Sequence, residues 1–65
     1  MEYYNFYEDK IRRLYISGNF VELATTNSDI HKSKFLTNYQ KKNLIYLSNA
    51  CINYLLIEKV GYKND

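Results

Sequence analysis

The stretch from Thr37 to Gly61 most constrains the fold, because it predicts one long helix in a chain of 65 residues. Thr37 and Gln40 have the spacing of a capping box, which is typical of a helix start. Gly61 is typical of the position just after a helix end. We therefore predict a helix over 38–60, about 34 Å long at a rise of about 1.5 Å per residue.

This predicted helix is apolar on more than one face. Its apolar residues are Leu44, Ile45, Leu47, Cys51, Ile52, Leu55, Leu56, Ile57 and Val60. Such a helix needs protein surface on more than one side, because large apolar patches are rarely left in contact with water. A domain of this size has little other surface to offer, since it buries only about 60% of the surface of its unfolded chain.

The first part of the chain predicts a shorter helix over 3–16. Four residues recur on one face of that helix and are expected to point to the core: Tyr4, Tyr7, Ile11 and Leu14. On the other side, two pairs have the i,i+4 spacing of ion pairs: Glu8 with Arg12 and Asp9 with Arg13. Gly18 is expected to end the helix in the left-handed conformation, and Asn19 to cap the next one.

A second short helix is predicted over 20–26, with Phe20, Leu23 and Ala24 toward the core. Its continuation, 25–28, consists of poor helix formers, so we expect the helix to fray there. Residues 27–36 are compatible with either helix or loop. No segment alternates as a strand would. The sequence thus predicts one all-α domain, 1–65, of three to four helices, with two short N-terminal helices packed on one long C-terminal helix.

The residue inventory argues against catalysis. One cysteine and one histidine form neither an internal disulfide nor a zinc site, and no glycine-rich phosphate loop occurs. We therefore expect no enzyme activity, metal, cofactor or small-molecule substrate. The N-terminus has no signal-peptide pattern, and polar residues interrupt the longest apolar run, 44–57. We expect a cytoplasmic protein that does not enter the membrane.

Charge is distributed unevenly along the chain. Residues 1–30 carry three basic and five acidic groups, whereas residues 31–65 carry six basic and two acidic groups. A basic cluster near the middle contains no acidic residue and offers a candidate nucleic-acid contact: His31, Lys32, Lys34, Lys41 and Lys42. The simpler interpretation is a solvated surface at a helix end.

Two apolar stripes run along the long helix, about 100° apart. The first consists of Leu47, Cys51 and Leu55, and the second of Ile45, Ile52 and Leu56. One stripe must pack on the N-terminal helices, and the other is a candidate surface for another chain, because exposed tyrosines beside it favour an interface. The candidate partner-binding residues of this surface are Tyr46, Ile52, Tyr54 and Leu56. Alternatively, the two short helices straddle the long one and cover both stripes.

Two segments of the chain carry a family resemblance. They are Tyr7-Glu8-Asp9-Lys10-Ile11-Arg12-Arg13-Leu14, followed by Phe20 and Leu23, and Leu36-Thr37-Asn38-Tyr39-Gln40, followed by Ile45-Tyr46. The first resembles the first helix and turn of the Hha/YmoA family, and the second resembles the entry into that family's long helix. The match covers about half of the chain and needs a gap near 27–34.

The resemblance implies a small all-α bacterial regulator, of a family often found on mobile elements. Members bind the dimerisation region of the nucleoid-structuring protein H-NS and modulate gene silencing. The resemblance also implies that Arg12 and Arg13 contact the partner. Where the family has an Ala-Ala-Asp-His-Arg stretch, this chain has residues 48–53, Ser-Asn-Ala-Cys-Ile-Asn, so the family's acidic contact residue has no counterpart.

These observations together predict a non-enzymatic helical protein that binds a larger cytosolic protein. Its role would be to regulate gene expression or, for a phage or mobile element, to inhibit a host protein. Abundant Asn, Lys, Ile and Tyr, which have AT-rich codons, are in keeping with such an origin. A homodimer would cover the same apolar surface. The alternative function is that of a small basic nucleic-acid-binding protein.

Overall fold

A computed structural model describes residues 3–60, and all regular structure in that range is helical. The helices are α1 (Tyr3–Ser17), α2 (Phe20–Lys32) and α3 (Asn38–Val60). Each helix packs on the other two. The predicted all-α fold is therefore confirmed, with two shorter helices packed on a longer C-terminal one. The predicted bounds of the first and third helices agree with α1 and α3 to within one residue.

The turn between α1 and α2 forms as the sequence predicts. Gly18 has φ +74°, and two backbone bonds close the end of α1, from Asn19 N to Leu14 O (2.9 Å) and from Gly18 N to Tyr15 O (3.0 Å). This is the Schellman motif, which a glycine adopts without steric cost. The Asn19 side chain then accepts a hydrogen bond from the Glu22 amide at 3.1 Å and caps α2.

The predicted end of the second helix at residue 26 is wrong, because α2 continues to Lys32. Two side chains are fully buried here: Thr26, within the segment predicted to fray, and Ile30, beyond it. The Thr26 hydroxyl donates to the Glu22 carbonyl at 2.8 Å, so it is satisfied within the helix. Tertiary burial thus outweighs the weak helix propensity of 25–28. Residues 33–37 form the connection to α3.

The capping box at the start of α3 is confirmed. The Thr37 amide donates to Gln40 Oε1 at 3.0 Å, and the Gln40 amide donates to Thr37 Oγ1 at 3.1 Å. The predicted stop at Gly61 lies outside the described residues. Despite the length of α3, no helix within residues 3–60 combines the length and the apolarity needed to cross a membrane.

The core lies where α1 and α2 meet α3. Its fully buried apolar residues are Ile11, Leu23, Ile30 and Leu44, joined by the nearly buried Leu36 and Leu55. Both predicted stripes of α3 contribute: Leu47 and Cys51 pack against this core from one stripe, and Ile45 and Ile52 from the other. The short helices therefore straddle α3 and cover most of both stripes. Ala24, expected in the core, is exposed.

A polar contact also joins α2 to α3. Asn27 Nδ2 donates to Asn49 Oδ1 at 2.7 Å. These two residues directly follow Thr26 and Ser48, which are both fully buried. Short side chains therefore meet where α2 packs on α3, and such side chains allow the two helices to approach closely without a void between them.

Candidate protein-binding surface

The side of α3 that faces away from the core is rich in aromatic and aliphatic side chains. Tyr39, Tyr46 and Tyr54 are 73%, 78% and 61% exposed. Leu56 and Ile57 are 40% and 42% exposed. Part of the apolar surface predicted to be in surplus is therefore exposed: Leu56 belongs to the second stripe, whereas Tyr39, Tyr46 and Ile57 lie outside both stripes.

An open apolar groove runs between α1 and α3. Its volume is about 350 Å³, and its lining residues are Arg12, Tyr15, Ile16, Leu47, Ala50, Cys51 and Tyr54. We call it the α1–α3 groove. Of its lining side chains, Ile16 is the most exposed large apolar one. A volume near the lower end of the range of small-ligand pockets (about 300–1,000 Å³) is enough to receive a few apolar side chains.

Arg12 is the charged residue of the groove. Its Nη2 donates to Glu8 Oε2 at 3.1 Å, one turn earlier on α1. The Arg12 side chain remains 63% exposed. Such an exposed pair contributes less than about 1 kcal/mol to stability, so Arg12 can exchange Glu8 for another carboxylate at small cost.

Arg13, the second arginine implied by the family resemblance, lies outside the α1–α3 groove. It pairs with Asp9, as the sequence spacing predicts, and its side chain is 78% exposed. The two arginines are therefore on neighbouring positions of α1, but only Arg12 reaches the apolar surface that α3 contributes.

Cys51 forms part of the groove wall. Burial raises the pKa of the Cys51 thiol, and the nearby Arg12 cation opposes that effect to a smaller extent. A raised pKa keeps the thiol protonated at neutral pH, and only the thiolate is strongly nucleophilic. Cys51 therefore acts in the groove as a small apolar side chain.

The remaining predicted contact residues of α3 do not share one surface. Ile52 is half-buried and packs against the core, so its assignment to an outward stripe is corrected. Leu56 is exposed beyond it. Tyr46 lines a different groove, on the α2 side of α3. The structure thus brings Arg12 and Tyr54 together and separates them from Ile52 and Tyr46.

Part of the basic cluster lines that second groove. Its lining residues are His31, Asn38, Lys41, Lys42, Ile45, Tyr46 and Asn49. The Lys41 ammonium donates to the His31 carbonyl at 3.1 Å, which satisfies a backbone acceptor at the end of α2. Lys32 and Lys34 are exposed but do not line the groove. One of the predicted nucleic-acid contacts therefore already stabilises a helix terminus.

Sequence reasoning missed Tyr15 and Ile16 as lining residues. Ile16 is 83% exposed. The helical period already places it on a different side of the helix from Tyr4, Ile11 and Leu14. What the period did not show is that this part of α1 lies beside α3. Among residues 3–60, no group of three or more His, Cys, Asp or Glu side chains is placed to hold a metal ion.

Comparisons with family models, with curated proteins and with solved structures found no match to this chain. The likeness to the Hha/YmoA family therefore stays a resemblance of two sequence segments.

Proposed function

We propose that this protein is a non-enzymatic helical module that binds a larger cytosolic protein through the α1–α3 groove. The observation that carries the proposal is the meeting of Arg12, Ile16 and Tyr54 at one open, apolar groove. Large aromatic and aliphatic side chains around a single arginine have the composition of energetically important interface residues. The role we propose is regulation of gene expression, or inhibition of a host protein by a phage or mobile element.

The groove suits an amphipathic helix of the partner. Its walls are two helices, so a third helix can lie between them with its apolar side chains inserted. The partner helix would carry an acidic residue, because Arg12 is the charge available at the groove and its present partner, Glu8, holds it only weakly. Tyr54 adds a large rigid contact area at low entropic cost.

A site-specific photo-crosslinker tests this proposal in cells of the organism that encodes the chain. The crosslinking amino acid replaces Ile16, which is 83% exposed in the groove, or Val21, which is 63% exposed and does not line it. We expect a covalent adduct with one larger protein from position 16 and not from position 21, read by gel shift and mass spectrometry.

Binding of the captured protein is then measured with purified variants. Ile16→Asp should weaken the affinity at least about tenfold, since it removes an apolar contact and adds a carboxylate that competes with the partner's acidic residue for Arg12, one turn away. Val21→Asp should leave the affinity unchanged. Equal crosslinking from both positions, or adducts of this chain with itself alone, would contradict the proposal.

The alternative function, nucleic-acid binding, has one structural observation in its favour. The second groove places His31 and Lys42 beside the exposed ring of Tyr46. A lysine ammonium beside an aromatic ring is suited to phosphates and stacked bases. A gel-shift titration over a range of salt concentrations tests it, because phosphate contacts give a steep salt dependence. Absence of a gel shift at low salt removes this alternative, as would a shift that Lys42→Ala leaves unaltered.

A further inference from the structure

The solvent side of α3 carries a stripe whose residues are spaced alternately by four and three. Its members are Tyr39, Asn43, Tyr46, Ala50, Asn53 and Ile57. We call this stripe the outer seam. All six are exposed or half-buried in the single chain, whereas Ser48 and Leu55, on the opposite side of α3, are buried in the core. The alternating spacing is that of the contact line of a coiled coil.

The outer seam is nearly free of charge. None of its six residues is charged, and the residues along its two edges are Gln40, Leu47, Tyr54, Lys42, Asn49 and Leu56. Lys42 is the charged member of those edges. A lysine at an edge can lay its alkyl stem on an apolar neighbour and keep its ammonium in water. A neutral surface of this kind matches another neutral helix face, such as that of a second copy.

Two outer seams complement each other when they run antiparallel and are centred at the level of residue 48. In that register Tyr46 faces Ala50 of the second copy, so a large side chain meets a small one. Asn43 faces Asn53, and each amide can donate to and accept from the other. Tyr39 faces Ile57. The Tyr46–Ala50 layers therefore combine a large with a small side chain, and the Asn43–Asn53 layers match in polarity.

Other arrangements of the same helices fit less well. A parallel pair places Ala50 on Ala50 next to Tyr46 on Tyr46, which leaves a void beside an overfilled layer. An antiparallel pair slipped by one heptad separates Asn43 from Asn53 and puts both amides opposite non-amide side chains. Buried asparagines are known to fix the register of coiled coils, because an unpaired amide is costly to bury.

The exposed area of the seam can be compared with that of a stable contact. At about 200 Å² for a tyrosine side chain, Tyr39, Tyr46 and Tyr54 together expose roughly 400 Å². A stable interface needs about 800 Å² per partner. The exposed Asn53, Leu56 and Ile57 and the stem of Lys42 add to this area, so the seam has the size of a small, reversible interface. We expect a dimer of moderate affinity.

We propose that the outer seam is a homodimer interface in which two α3 helices pack antiparallel in this register. The inference goes beyond the proposed function, because Ile16 and Arg12 of the α1–α3 groove are not part of the seam. Ala50 of the seam, and Leu47 and Tyr54 of its edge, also line the groove. If the dimer does not form, crosslinking from position 16 still tests partner binding, so the two proposals can fail separately.

Cysteine pairing tests the orientation and the register. In a Cys51→Ser background, one chain carries Asn43→Cys and another carries Asn53→Cys. The antiparallel register predicts that a mixture of the two forms a covalent heterodimer under mild oxidation, read on a non-reducing gel, while neither chain alone crosslinks at a comparable rate. Crosslinking of each chain with itself would show a parallel pair and overturn the proposal, as would the absence of any crosslink.

Sedimentation tests the interface without cysteines. We expect the wild-type chain to change from monomer to dimer across the micromolar range, and Tyr46→Glu to weaken that association at least about tenfold, because it replaces a large aromatic contact of the seam with a charge opposite Ala50. Val21→Glu, on an exposed position of α2, is the matched control and should dimerise as the wild type does. A wild-type chain that stays monomeric at the highest concentration contradicts the proposal.

Discussion

At the residue scale, single polar atoms decide local stability. Ser48 is fully buried, and within the described residues its Oγ has no hydrogen-bond partner. Thr26 is equally buried, but its hydroxyl donates to the Glu22 carbonyl at 2.8 Å. The Ser48 hydroxyl therefore destabilises the folded state, because an unsatisfied buried group costs its desolvation free energy. The Thr26 hydroxyl does so far less, because its hydrogen bond largely recovers that cost.

Replacement of these two hydroxyls makes the difference measurable. We expect Ser48→Ala to raise the free energy of unfolding by about 1 kcal/mol, because it removes an unsatisfied group and improves helix propensity. Thr26→Val should lower it by about 1 kcal/mol, since it removes a hydrogen bond. Urea unfolding followed by circular dichroism gives both values. A destabilised Ser48→Ala variant would show that the hydroxyl has a partner in solution.

Cys51 is expected to react slowly. Because burial raises the pKa of its thiol, less thiolate is present at a given pH than in an unfolded chain. Alkylation by iodoacetamide should be slower in the native protein than in urea, and its rate should rise at a higher pH. The proton is held more tightly in the folded state, so this group removes stability as pH rises above the unfolded pKa. Equal alkylation rates with and without urea would contradict this prediction.

At the element scale, the sequence was most informative at helix ends. The Gly18 stop, the Asn19 cap and the Thr37–Gln40 capping box all form as predicted. Each depends on residues within a few positions of one another, so local chemistry suffices. The end of α2 was mispredicted for the converse reason: Ile30 is fully buried in the core that it shares with residues of α1 and α3, and this packing holds 27–32 in the helix.

Gly18→Val tests the turn between α1 and α2. The space next to the Gly18 Cα is open, so an added Cβ would meet no atom of a residue outside its chain neighbours within 4 Å. The cost comes from the backbone alone, at φ +74°, and should be about 1–2 kcal/mol in thermal or urea unfolding. Gly18→Asn, which tolerates this conformation, should cost less. A Gly18→Val variant as stable as the wild type would show that the residue leaves the left-handed region.

At the scale of the whole molecule, the packing of three helices leaves α3 with two distinct sides. Leu55, on the inner side, is 9% exposed, whereas Ile57, two residues later, is 42% exposed. A chain of 65 residues has only a small core. Its stability therefore depends on a few inner residues, while the outer face is exposed to solvent.

Aspartate at these two positions should separate the roles. Leu55→Asp buries an unpaired charge and should cost at least about 3 kcal/mol, enough to unfold much of so small a domain. Ile57→Asp should cost about 1 kcal/mol or less and keep the helical circular dichroism spectrum, while it weakens the proposed dimer. A folded Leu55→Asp protein would show that α3 is not held by that contact.

The sequence by itself determined the all-helical class, the caps of α2 and α3, and the apolar character of α3 on several sides. These follow from interactions between residues a few positions apart. Only the tertiary structure decided which sides of α3 are covered. It placed Ile52 against the core, left Tyr39 and Tyr46 in solvent, and formed a groove from Arg12 and Tyr54. The physical reason is that α3 is apolar nearly all round, so its helical period does not select a face, and the positions of α1 and α2 make that choice.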